Sequence, residues 1–548
     1  MSNIIEITVN GLPMQVESGQ TLLQIIKDME FGENPPLIAK VDNEITELIN
    51  IISRPCDISL LDITHTDGFR VYQRTLSFLM IFAAREILGK DARIIIEHSI
   101  NKNYYCEISG IALDEEILAE IEAKMSDIAE KNLAITKHRL SKNEGMEIAK
   151  NMNLHDKVRL MAYRTDSNVN FYKLDWLYGY FYGPMAPSTG VLKTFALKLQ
   201  GEGFVLNFPK RENPSQLLDL KALTKISQVF RESNNWARIL NIDTVGVLND
   251  KISAGQAGDI IRVNEALHEK SIASIADSIH IAGKNIVLIA GPSSSGKTTF
   301  AARLSVQLRV NGMHPHIISL DDYYVDREKT PLDEFGKPNF ESLYAIDVEQ
   351  LSLDLKALLA GETVSMPRYN FLTGKREYKG SFLRLQKNDV LILEGIHGLN
   401  PKLADIPAAK TFKIFISALT QLNLDDHNRI PASDTRMIRR MVRDSQFRSF
   451  SVKTTIHLWP SVTRGETQNI FPFQEEADVI FNSALIYEMC ILKLYAMPLL
   501  FGITKADPEY TEARRLLKFL DGFMGMVEKD VPNNSLLREF IGGGCFKH

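Results

Sequence analysis

The chain opens with apolar and polar residues in alternation, Ile5, Ile7 and Val9, then Met14 and Val16, a period of two that predicts strands. A helical stretch follows over about 21–29, then short strands near 37–41 and 58–61. That order fits a small sheet wrapped on one helix. Helical spacing returns over 72–88, a strand is expected at 93–97, and a long charged helix covers roughly 114–135. Residues 178–208 are rich in Gly, Pro and aromatics, with strand-like runs at 191–199 and 204–208. Pro209 and Pro214 then mark a change of character. From 216 to about 282 the pattern is helical and polar, as in a connecting segment. Beyond Lys284, short β-branched runs at 286–290, 316–320, 390–393, 412–416 and 479–481 alternate with helices. This alternation predicts a parallel sheet with helices on both faces, an α/β domain. The most apolar stretch, 486–503, is interrupted by Glu488, Lys493 and Pro498 and reads as a buried helix.

Composition narrows the function classes. A length of 548 residues suggests three or four domains. With 45% apolar and 24% charged residues, a disordered, collagenous or disulfide-scaffold chain is excluded. The formal net charge of −5 carries no footprint of a dedicated nucleic-acid binder. Cys56, Cys106, Cys490 and Cys545 are widely spaced, which argues against a zinc or disulfide framework. The first residues lack a basic n-region and an apolar h-region, and no uncharged apolar run reaches the ~18 residues of a membrane span. A cytoplasmic location is expected.

One motif stands out. Residues 291–298 read Gly-Pro-Ser-Ser-Ser-Gly-Lys-Thr, a match to G-x-x-x-x-G-K-[ST], with an apolar strand before it and a helical stretch after it. Gly291 and Gly296 allow backbone N–H groups to turn inward around phosphate oxygens at a helix N-terminus. Lys297 supplies a charge to the β/γ-phosphates, and the Thr298 hydroxyl can ligate Mg²⁺. The expected ATP cradle is Gly291, Pro292, Ser293, Ser294, Ser295, Gly296, Lys297, Thr298 and Thr299.

A GTPase switch, a mechanical ATPase and a small-molecule kinase can all carry such a loop. Thr504-Lys505-Ala506-Asp507 fits a guanine-reading pattern, but the D-x-x-G switch that should precede it is absent. A hydroxyl-directed kinase needs a carboxylate near the acceptor, Mg²⁺ ligands and cationic closure. Asp321-Asp322-Tyr323-Tyr324 ends one strand, and Glu394 ends another, at the edge where open α/β sheets bind ligands. Thr298, Asp321 and Glu394 are the expected Mg²⁺ set. Arg436, Arg439, Arg440 and Arg443 recur at i, i+3, i+4 and i+7, hence on one helix face, in the order of a closing lid.

Over about 285–483 these residues resemble the uridine kinase / phosphoribulokinase family. Asp321-Asp322-Tyr323-Tyr324 is similar to the family's D-x-[FY]-Y, whose first Asp is the base for the acceptor hydroxyl; Tyr324 joins the acceptor pocket by the same match. Asn339-Phe340-Glu341 with Asp347 resembles N-F-D…D, which implies that Glu341 contacts ribose hydroxyls. Leu393-Glu394-Gly395-Ile396 matches L-E-G-I, and 436–444 matches R-x-x-R-R-x-x-R-D. Tyr369 and Arg376 match the acceptor-reading segment, but its base-reading His is Gly374 here. The resemblance implies an ATP- and Mg²⁺-dependent nucleoside kinase with Asp321 as base, Lys297 on the phosphates, and the four arginines offsetting transition-state charge.

Residues 1–63 resemble a TGS domain, a β-grasp module. Residues 64–212 resemble the α+β second additional domain of threonyl-tRNA synthetases, through 71–79 and Gly183-Pro184-Met185-Ala186-Pro187-Ser188-Thr189-Gly190. Its H-x-x-x-H, Cys and His positions are Tyr72, Leu76, Phe181 and Met185, so the fold is expected without hydrolytic chemistry. The expected division is 1–63, 64–212, a helical connector at 213–282, and a kinase domain at 283–548. Two other readings stand beside it: a tRNA- or ribosome-associated nucleotide-binding protein, and a kinase of another alcohol such as a sugar phosphate. The expected partner is a small nucleoside-like acceptor, with possible weak RNA contact through the N-terminal half, no membrane, and room for oligomers.

Overall fold

A computed structural model describes residues 4–220, 224–404, 406–420, 422–448 and 450–546. Residues 1–3 of the expected first domain and 221–223 of the expected connector lie outside the described residues.

The alternating start builds a five-stranded sheet in the order Leu12–Glu17, Ile4–Val9, Asp57–Leu61, Ile38–Val41, Glu44–Thr46, with the Ile4–Val9/Asp57–Leu61 pair parallel. Ile5, Ile7, Val9, Leu22 and Ile58 form its core. The helix is shorter than its sequence pattern: it spans Leu22–Ile25, held by a capping box between Thr21 and Gln24.

A second layer follows. Helices Thr66–Leu88 and Glu115–Glu130 cover a four-stranded sheet ordered Ala196–Gln200, Gly203–Asn207, Asn103–Ile108, Ile94–Ile100. The charged helix expected to reach 135 ends at Glu130, because Asn132 adopts a left-handed φ of 50°. Residues Ile135–Ser141 instead pair with Asn168–Leu174 in a separate sheet. The segment expected to be helical from 216 begins with strand Asn213–Leu217, followed by helices Thr224–Leu240, Val245–Ser253 and Ala257–Ile281.

The C-terminal sheet is fully parallel, as the alternation predicts, in the order His314–Ser319, Asp389–Glu394, Ile286–Ala290, Thr411–Ser417, Val479–Asn482. All five residues of the central strand are buried, which explains its unbroken apolar run. The apolar stretch near 486–503 forms helix Glu488–Phe501. Among the described residues no helix is long and apolar enough to cross a membrane.

The N-terminal half is latched to the C-terminal domain by buried charge. Lys157 and Asp425, both 0% exposed, pair at 2.6 Å. Beside them Arg93 grips Asp426 at 2.7 and 2.9 Å, and the Ile96 amide donates to the Asp426 carbonyl. A buried charge without its partner is costly, so Lys157→Met is expected to lose about 3–5 kcal/mol of stability. Differential scanning calorimetry of the full chain should record this as a lowered Tm.

Residues 504–507 belong to the same seam. Asp507 accepts from the Thr504 amide and hydroxyl at 2.8 and 2.9 Å and from Lys453 at 2.6 Å. Asn43, on a turn of the first sheet, donates to the Lys505 and Asp507 carbonyls. The segment is a docking turn, and its carboxylate is engaged.

Candidate active site

The central strand runs into residues 291–296, and helix Lys297–Val310 starts directly after them. Glycine is dictated twice. A Cβ at Gly291 would collide with the Ile416 carbonyl of the next strand, and Gly296 takes a left-handed φ of 88° at the helix N-cap. Lys297 Nζ folds over the loop onto the Gly291 and Pro292 carbonyls, at 3.0 and 3.2 Å. Ser294 and Ser295 keep buried hydroxyls without a hydrogen-bond partner. Thr299 differs from its expected place in the cradle: it is 1% exposed and its hydroxyl donates to Glu539 at 2.9 Å, behind the loop.

Two strand ends bring carboxylates to this loop. Glu394 accepts from Ser319 Oγ at 2.9 Å and from Thr298 Oγ1 at 3.4 Å. Burial, then the nearby Asp321 charge, push its carboxyl up to about 7. Asp321 lies in the tight turn Leu320–Tyr323 after strand His314–Ser319. Its neighbour Asp322 points elsewhere and accepts from the Tyr369 amide at 3.1 Å. Among the described residues no group of three or more His, Cys, Asp or Glu could hold a metal by itself. Thr298, Asp321 and Glu394 offer a hydroxyl and two acids, a set that suits a hard cation retaining water and phosphate ligands.

Helix Ala432–Phe447 carries the four arginines, but they do not act alike. Arg440 donates to Ser293 Oγ at 3.0 Å, and Arg443 pairs with Asp444 at 2.8 Å; both stay partly exposed. Arg436 is bound to Glu466 at 2.7 Å and to the Ser293 carbonyl, with Trp459 beneath it. Arg439 is 0% exposed, held by Glu488 at 2.6 Å and by the Ser483 carbonyl. The expectation that all four face a transferred group is therefore corrected for Arg439, whose guanidinium is enclosed as a brace between helices.

Glu341 is half-buried, and its enclosed Oε2 has no hydrogen-bond partner. Gly465 packs against it so tightly that a Cβ there would collide with the Glu341 side chain. Burial, then the Glu466 charge, raise its carboxyl to about 7. Tyr324 sits edge-on to Tyr369 at 5.6 Å and feels both Asp321 and Glu341. Arg376 is the exception among the expected pocket residues: it pairs with Asp347 at 2.8 Å, tying its hairpin to a helix start.

Residues 286–487 match the phosphoribulokinase / uridine kinase family. The uridine kinase of Macrococcus caseolyticus (strain JCSC5402) is 31% identical over 197 residues, covering 36% of this chain and 86% of the relative. That of Ligilactobacillus salivarius (strain UCC118) is 32% identical over 197 residues, covering 36% and 83%. The chain belongs to the phosphoribulokinase / uridine kinase family. Its C-terminal domain is accordingly a phosphotransferase with an alcohol acceptor. Among solved structures, a possible uridine kinase from Bacillus stearothermophilus overlaps 38% of this chain and 97% of its own, with 23% identity and a TM-score of 0.27.

Within this family member, Gly374 has a local cause. It turns the hairpin Val364–Asn370/Lys375–Leu383 with a φ of 69°, and a Cβ there would lie 2.8 Å from Arg327 Cβ. Gly374→His is expected to lower Tm by several degrees, since it adds left-handed strain to a steric clash.

Three further residues at the site had no motif to mark them. Glu466 accepts from the Ser293 amide of the loop at 3.0 Å. His397 is 1% exposed, and burial holds it near 4, hence neutral at pH 7. Arg448 lies over Phe371 at 5.2 Å and feels the Asp321 charge. Arg448 follows the arginine run by five residues, and a wider window for cations would have caught it.

Proposed function

We propose that this protein transfers the γ-phosphoryl group of ATP to a hydroxyl of a nucleoside or nucleoside-like molecule. The observation that carries the reading is the meeting of two acid-bearing strand ends with the loop, Glu394 at 3.4 Å from Thr298 and Asp321 beside it. Glu394, with its carboxyl raised by burial and by Asp321, fits a divalent cation, which relieves both effects. Thr298 and Glu394, with Asp321 adjacent, would hold Mg²⁺, whose charge offsets that of the phosphate oxygens. Lys297 and the loop amides bind the β/γ-phosphates. Asp321 orients the acceptor hydroxyl and takes its proton as the new O–P bond forms. Arg440 and Arg443, with Arg436 holding Ser293 in place, stabilise charge on the transferred group. Glu341, Tyr324 and Tyr369 form the acceptor wall.

Glu341 has a folded-state value near 7, above the ordinary 4.5. The native state therefore binds more protons, and stability falls as pH rises from about 4.5 through 7. Glu341→Gln removes this loss, so its Tm relative to the parent is expected to rise between pH 5.5 and 8.5 in scanning fluorimetry. The same substitution should raise the acceptor KM.

A sugar-phosphate acceptor is the second reading, favoured by Gly374 at the base-reading position and by Arg448 near Asp321. For residues 1–63 and 64–212 we infer a TGS-like and a synthetase-like fold that has lost hydrolysis. Tyr72, Leu76, Phe181 and Met185 are buried in one apolar cluster, which supports this. Deacylation of mischarged threonyl-tRNA by the full chain would overturn it. A panel of nucleosides and sugar phosphates, assayed for ADP release with ATP and with GTP, tests the kinase reading. Nucleoside-dependent release that Lys297→Ala abolishes is expected; release with sugar phosphates alone selects the second reading.

A further inference from the structure

Two carboxylates from other parts of the chain rest on amides of the phosphate loop and its helix, and they differ in how their charge is met. Glu466 accepts from the Ser293 amide at 3.0 Å, and Arg436 balances it at 2.7 Å in a buried pair. Glu539 accepts from the Thr299 hydroxyl at 2.9 Å and from the Thr299 amide at 3.4 Å. It is half-buried, and among the described residues it has no ion-pair partner. Its charge adds instead to that of the site's acids, and it is one of the groups that push the Glu394 carboxyl up.

Thr299 is the third residue of helix Lys297–Val310, and the next amide, that of Phe300, closes on the Gly296 carbonyl at 3.0 Å. The Thr299 amide therefore lies in the first turn, whose amides find no carbonyl within the helix and suit phosphate oxygens in a loop of this kind. A carboxylate held there by an amide and a hydroxyl makes the same charge-assisted hydrogen bonds as a phosphate. The segment that carries it is anchored. Leu536, Leu537 and Phe540 are 0% exposed, and a Cβ at Gly296 would lie 3.4 Å from Leu536. Arg538 donates to the Glu528, Val531 and Gly542 carbonyls at 3.1, 2.7 and 3.3 Å. The backbone around Glu539 is thus fixed, and freedom is left to its side chain alone.

We propose that Glu539 competes with the nucleotide for the Thr299 donors, and so sets how tightly the phosphate loop holds ATP and how readily it releases ADP. The proposal rests on the kinase reading above. Phosphate oxygens that approach Thr299 bring negative charge against a carboxylate with no cation of its own, and the Glu539 side chain turns away as they bind. Glu466 does not act in this way, because Arg436 holds it in a buried pair that is costly to open. No covalent bond is made or broken. The effect falls on affinity, through the phosphates of the ligand.

Titration calorimetry of the full chain with ADP, at constant ionic strength, tests this. Glu539→Gln keeps the shape and an oxygen for Thr299 but removes the charge. Its Kd for ADP is expected to fall about tenfold, with dissociation slowed to match. Glu539→Ala should tighten ADP as well, at a slightly lower Tm, since the helix end loses an acceptor. A residue that only caps the helix behaves otherwise: Gln would leave the Kd unchanged, and Ala would weaken ADP binding together with Tm. Either result would overturn the proposal. Lys297→Ala separates this failure from that of the kinase reading. ADP binding that is lost in Lys297→Ala, yet equal in the parent and Glu539→Gln, strikes out Glu539 alone. No ADP binding by the parent, or binding that Lys297→Ala leaves intact, overturns the cradle and this proposal with it. Should Glu539→Ala fail to fold, the parent chain and Glu539→Gln decide the matter by themselves.

Discussion

Asp321→Asn is expected to lower kcat by about 10³–10⁴-fold, with little change in ATP affinity. The amide keeps the size of the carboxylate but cannot take the acceptor proton. Its loss also removes the charge that, after burial, does most to raise Glu394. In the metal-free protein Glu394 should then titrate closer to its ordinary range. Steady-state kinetics across pH 5–9, with fluorescent-nucleotide binding alongside, measures turnover and ATP affinity. Near-parental kcat in the variant would remove the base assignment while leaving the phosphate loop standing.

Lys297→Ala is expected to reduce turnover by at least about 10²–10³-fold, because a preorganised charge at the transferred group is lost. Folding should be nearly unaffected. The Nζ now rests on two carbonyls, Gly291 and Pro292, at the loop mouth, and among the described residues it forms no direct ion pair with a carboxylate. Circular dichroism and Tm close to the parent, with ADP release at background, is the expected pair of results. The contrast with Lys157→Met is instructive: there the lysine is fully enclosed, its carboxylate partner is left behind, and the loss falls on stability.

Much of the loop and its sheet was legible in the sequence because their signals are local. An apolar strand, a glycine required by close backbone approach, a left-handed glycine and a helix start lie within a dozen residues. The two acids were legible for a similar reason: each follows directly on a strand whose C-terminal edge is the ligand edge of such sheets. The arginine helix was legible as a helix, yet its division of labour was not. Spacing places Arg436, Arg439, Arg440 and Arg443 on one side, but that side is broad. Helix Glu488–Phe501 covers part of it, with Glu488 enclosing Arg439, while Arg440 reaches Ser293. Arg376 shows the same limit, since its acid partner Asp347 stands 29 residues earlier.

From the order of residues alone came the phosphate loop, the parallel sheet, the acids Asp321 and Glu394, and the kinase chemistry they suit. These rest on backbone conformation and period, which short segments specify by themselves. Only tertiary packing decided which charges are spent on one another: Lys157 on Asp425 across 268 positions, and Glu466 on the Ser293 amide across 173. Ion pairing depends on which side chains arrive together in a low-dielectric interior, and that is settled by the fold as a whole.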